Sequence, residues 1–379
     1  MSFCEIPGAQ SGVVAPASRA KSSYRCRLGA LLPVVALVLS GCSTFNYYSA
    51  ALTGHLEVIQ ATRPITDLID DPACDHELKK KLVDVRRMRD FASSDLDLPN
   101  NDSYRSYADI KRPFVSWNVF AAPEFSLQTM NWCMLVVGCV GYRGFHDENE
   151  ARRLASELRE QGFDTYVGGV PAYSTLGYSS DPVLNTFMRF GSFEVARIIF
   201  HELAHQVVFV AGDTVFNESF ATLVENEGLR RWLTHKATPD IGNTVAAQRQ
   251  GKADFVELVA GYRTKLQTIY ESASSAEAKR LAKVKVLSDI RDSYLAGKLA
   301  KGQKPVYKEW LELDLNNAKL ASLGLYTQLL PGFEALLKAD AYDLPRFYRS
   351  VAKLGQLSFA ERRTVLQLLQ SPRQLASTR

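Results

Sequence analysis

The stretch 196-ARIIFHELAHQVVFVAGDTVFNESFATLVE-225 holds two of the six histidines of the chain, four residues apart, with a glutamate beside the first. In a helix, positions i and i+4 share a face. His201 and His205 can therefore point at one ion. Glu202 lies one position round, able to reach a water on that ion without being a ligand. Imidazole suits zinc, and a catalytic zinc keeps one position open for water. The ion brings the pKa of that water toward ~7, and Glu202 is placed to take its proton and pass it to a leaving amine.

A third protein ligand is expected downstream. Twelve residues separate His205 from Glu218. That is enough for the first helix to end at 210-VAGDT-214, for the chain to reverse and for a second helix to begin near Asn217. Thr214 or Asn217 could cap it. Glu218, in its first turn, then faces the histidines. Glu225, two helical turns further on roughly the same face, is the rival ligand. An ordinary core helix is the alternative, because the flanks 198-IIF-200 and 207-VVFV-210 are apolar. Burying Glu202 between two histidines costs several kcal/mol without a compensating partner, and a metal supplies that compensation. One zinc ion per chain is the expectation. The remaining histidines, His55, His76, His146 and His235, lack ligand spacing and are expected at the surface.

The rest of the chain sets the context. It has 379 residues, 46% hydrophobic, 10% aromatic and 23% charged, with a net charge of +4. That composition is globular, and the small charge argues against nucleic acid as a partner. At the N-terminus a basic segment, 19-RAKSSYRCR-27, precedes an apolar run of thirteen, 28-LGALLPVVALVLS-40. The run is short for a membrane span, which takes about 20 residues. Basic, apolar and small residues in that order describe an export signal. An exported chain meets an oxidising compartment, where Cys133 and Cys139, flanking a short apolar segment, can pair as a disulfide or remain buried thiols.

Along the mature chain, helical periodicity runs to about residue 95, with loop and turn over 93–104. Aromatic and β-branched runs at 114–123 and 133–142 predict strands, and 147–162 predicts an amphipathic helix ending at Gly162. Two short strands, 164–170 and 172–178, are predicted around a tight turn. Long charged helices are predicted over 245–300, and a further helix over 317–339 broken near Pro331. The fold class is α+β, strands and helices first and mostly helix after.

Two resemblances add to this reading. The ending 39-LSGC-42 resembles the lipobox of bacterial lipoproteins. That implies acylation of Cys42 as the mature N-terminus, and with Ser43 next, attachment to the outer membrane facing the periplasm. HELAHQ followed by FNESFAT resembles the gluzincin metallopeptidases, with His201, His205 and Glu218 implied as zinc ligands and Glu202 as base. More closely, the chain resembles the proteobacterial predicted-aminopeptidase lipoproteins, through 112-RPFVSWNVFAAPEFSLQ-128, 132-WCMLVVGCVGYRGF-145, 171-PAYSTLGYSSDPVL-184, 228-GLRRWL-233 and 316-NNAKLASLGLY-326. The resemblance implies a signal peptide over 1–41 and a lipidated tether over 42–60. It implies a zincin-like catalytic region over 61–240, and over 241–379 a helical region completing the cleft. It also implies a substrate-binding edge strand before the HELAH helix, for which 173-YSTLG-177 is the candidate. Tyr326, Tyr173 and Tyr142 are candidates for a transition-state donor, and Glu225 for a carboxylate that holds a substrate ammonium. The implied activity is hydrolysis of peptide bonds, as an aminopeptidase or an endopeptidase. The competing class is a non-catalytic zinc-binding envelope lipoprotein, against which the presence of Glu202 argues, since a closed structural site has no use for a base.

Overall fold

In the computed structural model the strand that organises the first half is β3 (Ser116–Pro123), and its sequence explains its place. Trp117, Val119 and Ala121 point to one face, Phe120 and Ala122 to the other, and all are buried. A strand covered on both faces reads as a nearly continuous apolar run. The first face packs on Ala151, Ala155 and Leu158 of helix α4 (Glu148–Glu160), and the second on Ala318 and Leu325. β3 pairs antiparallel with β6 (Arg143–Phe145) and along its length with β7 (Phe163–Val170).

The structure describes residues 47–134, 137–236 and 239–370. Cys42, the signal segment 1–41 and the start of the tether lie outside them. Thr53–Arg379 forms one compact unit. Among the described residues, no helix is long and apolar enough to cross a membrane.

In chain order, a helix over 47–60 (α1) leads to β1 (Thr62–Pro64), α2 (Ile65–Asp70) and α3 (His76–Ser94). The single helical run expected up to residue 95 is therefore broken. Pro64 occupies the N-cap of α2, and Asp75 caps α3 by accepting from the Leu78 N–H. Next come β2 (Ser106–Ala108), β3, a hairpin of β4 (Trp132–Met134) and β5 (Gly138–Val140), then β6, α4 and β7. The one strand expected over 133–142 is in fact this hairpin. Cys133 and Cys139 sit directly opposite and are joined by a disulfide. β8 (Val183–Leu184), α5 (Asn185–Met188), α6 (Ser192–His205) and α7 (Thr214–His235) follow. β1, β2 and β8 make a second small sheet.

The remainder is helical: α8 (Pro239–Glu271), α9 (Ala276–Ala300), α10 (Lys308–Glu312), α11 (Asn317–Thr327), α12 (Leu330–Ala339), α13 (Leu344–Gly355) and α14 (Phe359–Gln370). Pro331 stands in the first turn of α12, where a missing N–H costs nothing.

Residues 173–177 do not form the edge strand expected there. They make a turn in which Leu176 and Gly177 are left-handed, at φ 57° and 83°. The buried Asp181 carboxylate shapes it by accepting from the Thr175 N–H. Among the described residues the sheet edge that precedes α6 belongs instead to β7, which pairs with β3 and accepts from Asn316 Nδ2 through its Thr165 carbonyl.

α6, α7 and α3 pack together in the main core, where Ile199, Phe200, Phe216 and Phe220 are fully buried. A separate cluster holds α8, α9 and α10, through Phe255, Val259, Leu266, Ile290 and Tyr294.

Candidate metal centre

α6 is apolar on the side that meets the core, so its polar residues gather on the remaining stripe. His201 and His205 lie one turn apart on that stripe, 9% and 8% exposed, with Nε2 atoms 3.2 Å apart. The chain then reverses through 206–213. Asn217 clasps this loop: its Oδ1 accepts from the Val210 N–H at 2.8 Å, and its Nδ2 donates to the Val210 carbonyl at 2.9 Å. α7 begins three residues before the position expected from sequence. Its cap is neither Thr214 nor Asn217 but Asp213, which accepts from the Phe216 N–H. Glu218 therefore stands in the second turn of α7. Its Oε2 lies 3.2 Å from His201 Nε2, and its Oε1 3.8 Å from His205 Nε2.

One atom from each of His201, His205 and Glu218 falls within 4.8 Å of the other two. Two nitrogens bound tetrahedrally at about 2.0–2.1 Å lie roughly 3.3 Å apart. The two 3.2 Å spacings match that edge and the third, at 3.8 Å, is wider, so the three residues are compatible with a bound metal ion.

Glu225 is brought to the same place but in another role. Its Oε2 accepts from His201 Nδ1 at 3.0 Å, fixing the ring so that Nε2 faces Glu218. Its Oε1 accepts a short hydrogen bond from Arg197 Nη2, and Lys252 Nζ stands 3.7 Å away. Glu225 thus orients a ligand through the far side of its ring, as outer carboxylates do around zinc sites. Both of its oxygens are engaged in this way, and it is not among the residues whose ligand atoms converge.

The charges follow from this packing. Burial opposes a proton on His201, but hydrogen bonds to Glu218 and Glu225 and the charges of both push its pKa up to about 10. Burial takes His205 down to about 4. Its buried Nδ1 has no partner among the described residues. Burial would raise Glu225, but Lys252, Arg197 and His201 hold its carboxyl far below the usual range. Burial lifts Glu202 to about 8, with His201 opposing and Glu218, Asp181 and Glu225 adding to it.

Of the three candidate tyrosines, Tyr326 at the end of α11 is the one beside the cluster, its ring 6.3 Å from that of His201. The Glu218 charge, then burial, keeps its phenol protonated well past the ordinary value. Tyr142 packs against Phe120 and is near enough to Tyr326 to contribute to that rise. Tyr173 is elsewhere, bonded to His55 Nδ1 at 2.7 Å. His76 and His235 are exposed as expected. His55 and His146 are half-buried instead, the latter with its Nδ1 on the Val115 carbonyl.

Sequence reasoning missed several supporting residues. Gln206, directly after the second histidine, accepts from Asn101 Nδ2 and donates to Ser103 Oγ. The 99–103 loop is itself held by the fully buried Arg89, whose guanidinium donates to the carbonyls of Ser103, Pro99 and Asn101. Arg197 carried a readable signal, standing four residues before His201 on the same helical face. Lys252 arrives from α8 and carried none.

A family model described as "Putative aminopeptidase" matches residues 46–366. The chain belongs to this family. Its membership supports peptidase activity, and with it a peptide substrate. The match spans β3, α6, α7 and α11, so every residue of the cluster and Tyr326 lie within it. No curated protein and no solved structure matches the chain.

Proposed function

We propose that the chain is a zinc-dependent aminopeptidase of gluzincin type, with His201, His205 and Glu218 as ligands and Glu202 as general base. One observation carries the reading. One ligand atom from each of His201, His205 and Glu218 converges, two of the separations at 3.2 Å, with a second carboxylate, Glu202, one residue from the first histidine. A zinc ion held there supplies an acidified water and a Lewis acid for the scissile carbonyl.

The protein's own groups do the rest. Glu202 accepts the proton of the attacking water and returns it to the leaving amine. It stands half-buried on α6, one position round from His201. Tyr326, protonated and partly exposed beside His201, is placed to donate to the developing oxyanion. Glu225 holds the His201 ring while Arg197 and Lys252 hold Glu225.

The reading extends to location. The 39-LSGC-42 ending and Ser43 support a lipid on Cys42 that attaches the enzyme to the outer membrane, facing the periplasm. A Cys42→Ala chain should then leave the membrane fraction.

The deciding experiment compares wild type with Glu202→Gln and Glu218→Ala. Wild type should carry about one zinc and hydrolyse peptides. Glu202→Gln should keep its zinc and lose roughly two to four orders of magnitude in rate. Glu218→Ala should lose zinc. Hydrolysis by Glu202→Gln at the wild-type rate would sink the mechanism.

A further inference from the structure

The β4–β5 hairpin stands outside the metal centre, yet it bears on the loop that joins the ligands. Its Trp132–Val140 pair is anchored: Val140 is buried, and Trp132 packs against the cluster between β3 and α4. The next pair is Cys133–Cys139, joined by the disulfide, and beyond it comes Met134–Gly138. Both cysteines are exposed. Among the described residues neither strand pairs with any other. A two-stranded ribbon is marginal in water by itself. The disulfide, by cross-linking that ribbon, is therefore what keeps its outer end shut.

That outer end rests on the 206–213 loop. The Gly212 N–H donates to the Val137 carbonyl at 2.9 Å. Gly138, at φ 74°, lies against Gly212, at φ 80°. A Cβ on Gly138 would stand 2.7 Å from the Gly212 nitrogen and 3.1 Å from its Cα, so two backbones meet with no side chain between them. The loop they touch runs from one ligand to another. Phe209 holds its ring 6.5 Å from that of His205. Asp213, directly after Gly212, caps α7, which carries Glu218. Asn217 grips Val210 from the α7 side. Of the holds on this loop, the hairpin is the one that a covalent reaction can release.

We propose that the Cys133–Cys139 disulfide is a site of thiol–disulfide exchange with a dithiol reductant, and that its opening weakens metal binding by His201, His205 and Glu218. The metal half rests on the zinc reading, whereas the exchange and the loosening of the loop do not. Exposed disulfides are the labile ones. One thiolate of the reductant attacks a sulfur of the pair, forms a mixed disulfide and releases the other cysteine as a thiolate. The second thiol of the reductant then displaces the remaining cysteine. Two electrons pass to the hairpin, the two protons of the dithiol end on Cys133 and Cys139, and the reductant leaves as a disulfide. Val137 and Gly138 are then no longer pressed on Gly212, and the loop gains freedom that metal binding must remove.

The test uses the full chain, oxidised or reduced with dithiothreitol that is removed under anaerobic conditions before measurement. Alkylation and peptide mapping should find Cys133 and Cys139 blocked before treatment and open after it. Hydrogen exchange is read on metal-free protein. Reduction should speed exchange over residues 207–213 roughly tenfold or more and leave α9 unchanged. Zinc affinity, by competition with a chelator, should fall about tenfold, the scale on which supports outside the ligands are felt. Cys133→Ser with Cys139→Ser should match the reduced protein and ignore the reductant. Gly138→Ala should loosen the same loop with its disulfide intact, because the added methyl drives the hairpin off Gly212. A disulfide that resists the dithiol, or loop exchange equal in the open and closed forms, overturns the proposal. So does exchange that rises as much in α9 as in the loop. Should the serine variant fail to fold, Gly138→Ala decides, and an unchanged loop in it overturns the coupling. Zinc bound by neither form, beside a loop that responds, would sink the zinc reading and leave the exchange site standing. Zinc bound equally by both forms would sink the coupling and leave the zinc reading standing.

Discussion

Glu225 stands seven residues after Glu218 on α7, and that spacing makes a ligand shell out of one helix face. Seven steps of about 100° return nearly to the same side, about 10 Å further along the axis. The His201 ring lies between the two carboxylates, with Nε2 on Glu218 and Nδ1 on Glu225. The sequence places both glutamates on that face, but face alone does not divide inner ligand from outer support. What divides them is where the imidazole of the neighbouring helix lies. Glu225→Gln keeps an acceptor for Nδ1–H but removes the charge, so zinc affinity should fall about 10–100-fold while Glu218 remains in place. Competition with a calibrated chelator measures it, and an affinity within twofold of wild type would refute the outer role. Arg89 offers a second test at this scale. Burial brings its pKa down to about 10, and its charge is met by carbonyls rather than a carboxylate. Arg89→Met leaves those carbonyls unmet and should cost about 3–5 kcal/mol in a denaturant titration. It should also loosen the loop that Gln206 holds.

At the scale of elements, α7 does more than present Glu218. Glu227, on its buried side and 6% exposed, accepts from Arg230 and Arg231, and Arg231 donates onward to the Tyr342 carbonyl. Burial alone would raise the Glu227 pKa, but these arginines hold it below the usual carboxylate value. A depressed folded pKa gives stability that is present above the unfolded value near 4.5 and is lost as pH falls through the folded one. Glu227→Gln should therefore be less stable than wild type by about 1–3 kcal/mol at pH 7. The gap should close as pH drops below about 4. A gap that stays constant down to pH 3 would show that charge is not its source. The elements that carry the site were legible for a physical reason. HELAH has a helical spacing that chemistry demands, and β3 has the nearly continuous apolar run of a strand covered twice. The errors lie where local pattern gives way to tertiary contact. The stretch 172–178 has strand-like residues, yet the Asp181 carboxylate bends it into a turn. The 133–142 segment reads as one strand because its apolar run is nearly continuous, and the Cys133–Cys139 pairing is a cross-strand fact. Asp213 looked like a loop residue, but it caps α7 while binding Arg362 and Arg363, nearly 150 residues away.

At the scale of the molecule, two apolar clusters divide the labour. One holds α3, α6 and α7 and carries every ligand atom. The other holds the long α8–α9 pair, which meets the metal centre through Lys252. The buried Asn317 helps join the second cluster to the β3–β7 sheet: its Nδ2 donates to the Glu124 carbonyl, its N–H donates to Asp164, and its Oδ1 accepts from Tyr270. Lys283 of α9 pairs with the same Asp164 at 2.6 Å. Metal binding should therefore stabilise the two parts unequally. At a free zinc concentration a hundred times its Kd, binding to the folded state alone adds about 2.7 kcal/mol. For a chain of this size that is roughly 3–4 °C in melting temperature. Protein stripped by a chelator should melt lower by that amount and recover when zinc is returned. Glu202→Gln should show the same shift and His205→Ala almost none. Hydrogen exchange should place the gain in protection on α6 and α7, where the ligands cross-link two helices, with little change along α9. A shift of equal size in His205→Ala, or protection gained chiefly in α8 and α9, would mean that zinc stabilises the chain from some other site.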